Sequence, residues 1–137
     1  PLSKDIKKEL IKPTKIYVKE IIKLNQKKLI TGAANITGGG LLNNLSRVIP
    51  EDLCLNINLS QIKITKIFNW LKKNNIRDSE MINTFNCGIG FCVIVKKKNI
   101  KKIEKFFSSG FKPYKIGYIS KEKSHIKTFG NLKWLIK

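Results

Sequence analysis

The sequence predicts an α+β fold in which a small mixed β-sheet is covered by helices. Leucine and isoleucine alternate with other residues over 53–60, which is the two-residue period of a strand with one buried face. Residues 88–95 are almost continuously apolar and rich in β-branched side chains, which predicts a central strand buried on both faces. Elsewhere, apolar residues recur at helical spacing. At 137 residues, the chain is long enough for one domain, residues 1–137, with a single core.

Helical spacing predicts six helices: over 4–11, over 17–25 with one apolar face from Ile16 to Leu24, from Gly39 or Gly40 to Pro50, over 65–73, from Asp78 or Ser79 through Ile82, and from Asn99 to Phe107. Polar residues at three of these starts are candidate N-caps, namely Ser3, Asp78 or Ser79, and Asn99. Three further strands are expected over 29–36, over 114–119 and, as a weaker pattern, within 126–136.

The formal net charge of +19 raises the possibility of a nucleic-acid partner, because cationic surfaces neutralise phosphates. Only two of the 28 basic residues are arginines, Arg47 and Arg77, whereas base readout favours the planar fork of arginine. Lysine, isoleucine and asparagine, which A/T-rich codons encode, dominate the composition, and the lysines are spread along the chain. These features favour a solvated lysine-rich surface over a nucleic-acid face.

Cysteine and histidine usage gives no metal-ligand spacing, so no structural metal is expected. Cys87 can be imagined as a nucleophile, but His125 is far away in the sequence, and a buried, inert thiol is the favoured interpretation. No apolar run reaches the length of a membrane helix, and no secretory signal is evident, so the expected compartment is the cytoplasm. Because the sequence opens on Pro1, we expect it to be a piece of a longer polypeptide or a processed one.

Three successive glycines, Gly38 to Gly40, run directly into the third predicted helix. Glycines allow a ligand to approach the backbone, and the first amides of a helix attract anions, so phosphate is the natural guest. The spacing matches neither of the two common nucleotide-binding signatures. A plain glycine-rich turn is an equally acceptable interpretation of this segment alone.

Five blocks, in order along the chain, resemble the C-terminal domain of the phosphoribosylformylglycinamidine cyclo-ligases, also called aminoimidazole ribonucleotide synthetases. The blocks are 13–19 (PTKIYVK), 36–41 (ITGGGL) with Asn44, Arg47 and Pro50, 68–71 (FNWL), 84–90 (TFNCGIG) and 116–119 (IGYI). The resemblance implies an enzyme of purine synthesis that uses ATP, with Mg²⁺, to close the imidazole ring of formylglycinamidine ribonucleotide. It also implies a cytoplasmic homodimer and an active site in a cleft between two domains.

In that family the ATP-binding region belongs mainly to the N-terminal domain. The resemblance therefore implies that residues 1–137 are the C-terminal half of a longer two-domain enzyme and are inactive alone. The residues that match the family's site motifs are Thr37, Gly38, Gly39, Gly40, Asn44, Arg47 and Asn86. The loop is expected to hold the substrate phosphate or to line the cleft, while Arg47 supplies a charge and Asn86 binds amide or ribose groups. Two structural alternatives stay open: Arg47 pairs with a carboxylate, or Asn86 caps a turn.

The chain departs from the family pattern at four positions. The family usually has histidine at Asn35, glutamate at Asn43, proline at Ser46 and methionine at Phe91. Asparagine forms hydrogen bonds but does not titrate, so position 35 cannot transfer a proton in this chain. Two other functional hypotheses follow: a basic nucleic-acid-binding module, and a non-catalytic homologue that retains the fold.

Overall fold

A computed structural model describes residues 2–107 and 112–135. Within these residues there are six helices: α1 (Lys4–Leu10), α2 (Val18–Gln26), α3 (Gly40–Ser46), α4 (Lys66–Lys72), α5 (Asp78–Thr84) and α6 (Ile100–Glu104). The strands are β1 (Gly32–Asn35), β2 (Cys54–Asn58), β3 (Phe91–Ile94), β4 (Gly117–Ser120) and β5 (Ile126–Phe129). Two short 3₁₀ turns cover Leu59–Gln61 and Lys97–Asn99. The predicted α+β class is confirmed.

The strands form two small sheets, where the sequence predicted one. β1 pairs antiparallel with β3, with Asn35 opposite Phe91. The second sheet has the order β4-β2-β5 and is mixed, because β2 is antiparallel to β4 and parallel to β5. The main core is built from apolar side chains of β1, α3, β2 and α5 and of the loops beside them; Leu41, Ile57, Met81 and Cys87 are fully buried there.

The prediction of a central strand over 88–95 was wrong. The strand covers only Phe91–Ile94, all four of its residues are half-buried, and among the described residues it pairs only with β1. An apolar run shows that side chains avoid water but does not show what covers them. Here one edge of the strand opens on a cleft, which is described below.

The prediction of a single buried face on β2 was also wrong, because Cys54 and Asn56 are buried as well as Leu55 and Ile57. β2 is the middle strand of its sheet, so both of its edges are paired. The Asn56 side-chain amide donates to the Ser120 hydroxyl at 2.8 Å. This bond gives the buried Asn56 amide a partner on the face of β2 that the alternating pattern predicted to be exposed to solvent.

The helix starts agree with the predictions only in part. Ser3 is the N-cap of α1, and its hydroxyl accepts from the Ile6 N–H at 3.3 Å, as predicted. Capping by Asp78 or Ser79 was wrong, since Arg77 occupies that position and the Asp78 carboxylate accepts instead from the Trp134 indole N–H at 3.0 Å. Asn99 does precede α6, but its side chain donates to the Leu29 carbonyl at 3.4 Å and forms no cap bond.

The two ends of the chain differ most from the expectations. The predicted apolar face of the second helix buries only Leu24 completely, whereas Ile16 is 76% exposed. The weak terminal strand is limited to β5, and residues 130–135 form no strand. α6 ends at Glu104; the predicted stop at 108–110 and residue 136 lie outside the described residues.

Candidate functional site

Two loops lie side by side at one end of the β1–β3 ribbon. The glycine loop, defined as Thr37–Gly40, follows β1, and the turn 86–90 leads into β3. The Ile36 N–H donates to the Gly90 carbonyl at 3.0 Å, which continues the ladder beyond the strands and joins the two loops at their bases. The structure therefore brings together two blocks that are almost fifty residues apart in the sequence.

The three glycines of the loop have different structural roles. Gly39 has φ of +92° and is the N-cap of α3. Gly40 has φ of +69°, and a Cβ there would overlap the Ile82 carbonyl oxygen and lie 2.6 Å from the Asn83 carbonyl carbon. A Cβ at Gly38 would meet no atom within 4 Å. Gly40 is therefore needed for packing against α5, whereas Gly38 is the glycine with open space above it.

Asn44 holds the glycine loop from inside. Its side chain is buried, and its amide nitrogen donates to the carbonyl of Gly40 at 2.7 Å and to the carbonyls of Thr37 and Gly38 at 3.3 Å each. The Gly40 N–H is also used within the loop, since it donates to the Thr37 carbonyl at 3.2 Å. The amide of Asn44 thus fixes the loop's shape, and Thr37 and Gly38 are left as its exposed positions.

Arg47 lies at the other end of α3, where it is the C-cap. A seven-residue helix rises about 10 Å, so the structure does not bring the Arg47 backbone to the glycine loop. The arginine is exposed and makes no ion pair with any residue in 2–107 or 112–135. Its predicted role as a phosphate ligand stays a prediction.

Asn86 shapes the turn before β3. Its side-chain oxygen accepts from the Gly88 N–H at 3.0 Å, and its backbone carbonyl accepts from the Ile89 N–H at 2.8 Å. Cys87 and Gly88 both have positive φ, of +50° and +103°, so the turn is tightly wound. This is the turn-capping alternative that the sequence left open, and a ligand contact by Asn86 stays a prediction.

The thiols beside the turn are unsuited to nucleophilic chemistry. Cys87 is fully buried with its Sγ 3.5 Å from the Met81 carbonyl, and burial, followed by the nearby Asp78 charge, raises its thiol pKa to about 11. Burial likewise raises the pKa of Cys92 to about 12. The His125 ring lies elsewhere, with Nε2 2.9 Å from the Ser46 carbonyl oxygen. The expectation of a buried, inert Cys87 is confirmed by its position.

Tyr17, from the 13–19 block, lies beside the turn 86–90 and the start of β3. Its ring packs against Phe91 at a centroid distance of 5.3 Å, and a Cβ at Gly90 would overlap its hydroxyl oxygen. Burial, with a smaller contribution from Cys92, raises the pKa of the tyrosine above its ordinary value. The sequence analysis placed Tyr17 on a helix face. Its position in the 13–19 block was the signal that could have marked it as a site residue.

A cleft of about 620 Å³ extends from the turn 86–90 between β3 and β4. Its lining is mostly apolar or aromatic and includes Leu45, Leu55, Tyr114 and Ile119, with the charged side chains Lys15, Lys97, Lys112, Lys115 and Glu104 also present. This cleft could not be predicted from the sequence, because the segments that form it are separated along the chain.

The described part of the chain offers no alternative centre based on metal chemistry. Within 2–107 and 112–135, no three histidine, cysteine, aspartate or glutamate side chains stand close enough to hold a metal ion. None of the helices described there has the length and apolar character needed to cross a membrane. The glycine loop and the turn 86–90, with Tyr17 packed beside them, are therefore the candidate site.

Comparison with known proteins places the chain in a family. Residues 2–128 match the family model described as AIR synthase related protein, C-terminal domain. The chain belongs to this family. The match covers the glycine loop, the turn 86–90 and all five strands except the last residue of β5. The resemblance inferred from the five sequence blocks is thus confirmed.

Three curated relatives of this chain share one name. The chain is 43% identical over 113 residues to a phosphoribosylformylglycinamidine cyclo-ligase of Clostridium botulinum (strain 657), covering 82% of the chain and 34% of the relative. It is 42% identical over 119 residues to the enzyme of that name in Clostridium perfringens (strain 13), covering 85% and 36%. The Neisseria gonorrhoeae protein is 39% identical over 118 residues, covering 85% and 34%. The chain spans about a third of the length of the curated relatives it matches.

Proposed function

We propose that this chain is the C-terminal domain of an ATP-dependent phosphoribosylformylglycinamidine cyclo-ligase that acts in purine synthesis. The observation that supports this most strongly is the family match over residues 2–128, together with identities of 39–43% to proteins of that name. In this proposal an N-terminal domain on the same polypeptide binds most of the ATP and Mg²⁺. The enzyme is a cytoplasmic homodimer, and residues 1–137 alone are inactive.

The reaction proposed for the whole enzyme is a ring closure. The formyl amide oxygen of formylglycinamidine ribonucleotide takes the terminal phosphoryl group of ATP, and ADP leaves. The amidine-side nitrogen then attacks the formyl carbon that carries this oxygen and loses a proton, the carbon–oxygen bond breaks, and phosphate leaves as aminoimidazole ribonucleotide forms. Such chemistry depends mainly on positioning and on stabilisation of charge at the phosphates.

The chain's contribution in this proposal is a rigid loop beside the turn 86–90. Asn44 and the packing of Gly40 on α5 fix the loop, and the Gly38 carbonyl accepts from the Asn44 amide, so the Thr37 hydroxyl and the Gly38 N–H of these two exposed residues are left for a ligand. The ribonucleotide substrate would lie against these two residues, with the aromatic pair Tyr17 and Phe91 beside it. A loop held in one shape loses little conformational entropy on binding.

The test uses the intact polypeptide that carries these residues. ADP release is measured with ATP, with and without formylglycinamidine ribonucleotide, for the wild type and for Gly38→Val. Because Gly38 has open space above it and no positive φ, the valine fills the loop's surface with little cost to the fold. We expect substrate-dependent ADP release to fall by at least about tenfold, since a small misplacement of substrate is costly in rate.

Two controls make the result decisive. Lys7→Ala changes an exposed residue of α1 and should leave turnover unchanged. An unfolding midpoint measured for each variant separates loss of the site from loss of the fold. A folded wild type without turnover would favour the non-catalytic homologue. The net charge of +19 is the observation behind the alternative of a nucleic-acid-binding module. Saturable oligonucleotide binding with a steep salt dependence would favour that alternative.

A further inference from the structure

One edge of β3 has no partner strand among the described residues. The Gly90 and Ile94 carbonyls accept from the Ile36 and Thr31 N–H groups at 3.0 and 2.8 Å, so the backbone of these even-numbered residues is directed to β1. Backbone groups alternate between the two edges of a strand. The N–H and C=O groups of Phe91 and Val93 therefore point away from β1.

β4 ends the β4-β2-β5 sheet, so its other edge also has no partner strand within residues 2–107 and 112–135. The Asn58 N–H donates to the Ile116 carbonyl at 2.8 Å, and Tyr118 stands opposite Asn56. These even-numbered residues of β4 are thus directed to β2. The backbone groups of Gly117 and Ile119 are directed the other way.

Both free edges open on the same cleft. Its lining includes every residue of 88–95 and every residue of 112–119. Successive side chains of a strand point to opposite faces, so a cavity above one face touches alternate residues only. A cavity that touches every residue lies at the edge of the strand, where the backbone itself is the wall.

The volume of the cleft suits one strand. A strand occupies about 4.8 Å between neighbours, about 10 Å between packed layers and about 3.3 Å per residue, which gives about 160 Å³ per residue. The cleft of about 620 Å³ therefore holds about four residues. β3 and β4 each have four residues.

We propose that an extended segment of the same polypeptide, from outside these 137 residues, enters the cleft as a β-strand between β3 and β4. It pairs with both free edges and joins the two sheets into one sheet of six strands. The proposal rests on the proposed function, in which a longer polypeptide carries this chain; the curated relatives are about three times as long as the matched region.

The walls of the cleft indicate the chemistry of the segment. Ile89, Phe91 and Val93 on one side and Tyr114 and Ile119 on the other favour β-branched or aromatic side chains. Four lysines and one glutamate also line the cleft, which favours aspartate or glutamate at the ends of the segment. Exposed apolar side chains continue beside Tyr17, where Ile16 is 76% and Val18 is 61% exposed.

The experiment measures residue-resolved hydrogen exchange in the intact polypeptide. We expect the amides of Phe91, Val93, Gly117 and Ile119 to exchange at least about 100-fold more slowly than free peptide amides. The amides of Cys92 and Tyr118, which are directed to β1 and β2, should be protected in the same way. Fast exchange at the four free-edge amides beside slow exchange at the other two would overturn the proposal. Protection that depends on protein concentration would also overturn it, because a second copy would then fill the cleft.

A pair of variants tests the backbone pairing directly. Val93→Pro removes the N–H that faces the cleft, whereas Val93→Ala keeps the N–H and shortens the side chain. In the intact polypeptide, Val93→Pro should speed exchange at Gly117 and Ile119, across the cleft, by about tenfold or more, and Val93→Ala should change it much less. Equal effects of the two variants would contradict strand pairing. None of these exchange measurements depends on turnover, so a failure of the strand-pairing proposal can be distinguished from a failure of the cyclo-ligase assay.

Discussion

Replacing Gly40 with alanine should destabilise the fold strongly, because two independent costs meet at this residue. With φ of +69°, alanine there adopts a left-handed conformation that costs about 1–2 kcal/mol. Its Cβ also overlaps the backbone at Ile82 and Asn83, and such overpacking costs about 1–3 kcal/mol. The obstacle is backbone of α5, which cannot rotate away as a side chain can. The expected loss in the free energy of unfolding is about 2–5 kcal/mol.

Urea unfolding of the polypeptide that carries these residues measures this loss. With a slope of about 1–3 kcal/mol per molar urea, the midpoint should fall by at least about 0.7 M. Gly38→Ala is the matched control in the same loop, and it should change the free energy of unfolding by less than about 1 kcal/mol, since its Cβ meets no atom within 4 Å. A loss below about 1 kcal/mol for Gly40→Ala would refute the packing of the glycine loop on α5.

Three further predictions concern single residues. Trp134→Phe removes the indole N–H that donates to Asp78, and because that carboxylate is partly exposed we expect a loss of about 1 kcal/mol in urea unfolding; no loss would show that the bond contributes nothing. The Cys87 pKa of about 11 lies above the ordinary value near 9, so unfolding releases a proton between these values and stability should fall as the pH rises from 9 to 11. Cys87→Ala should make that fall shallower, and an unchanged slope would contradict it. Asn35→His restores the residue usual in the family, so substrate-dependent ADP release should stay equal or rise; a large loss would count against the assignment of Asn35 to the family's histidine position.

The elements predicted best are those whose signal is local. The periodicity around Phe68 gives α4 within a residue at each end, and Ser3 caps α1 as expected. Pairing between distant segments could not be predicted, because nothing near residues 88–95 indicates that β1 pairs with one edge of β3 and that no other described strand pairs with the second edge. Asp78 shows the same limit: its N-cap preference is overridden by Trp134, 56 residues later.

The candidate site likewise has features that the local sequence predicts and features that depend on distant segments. The glycine loop is recognisable from Gly38 to Gly40 alone, but the separate roles of the three glycines follow from α5, which the sequence does not connect to the loop. The amide of Asn44 belongs to the support of the loop, since each of its bonds ends on a loop carbonyl. The cleft is missed entirely, because its walls come from segments whose proximity depends on the whole topology.

The contacts that fix the glycine loop determine which of its residues can contact a ligand. The loop is fixed at three points: at its base by the bond from Ile36 to Gly90, from inside by Asn44, and at its end by the contact of Gly40 with α5. Groups used in these contacts are not available to a ligand, whereas Thr37 and Gly38 are exposed above them. Arg47 lies a helix length away, so a ligand at the loop would have to extend about 10 Å along α3 to reach its backbone. Ligand contacts at this loop are therefore expected from Thr37 and Gly38 first, with the neighbouring supports setting their geometry.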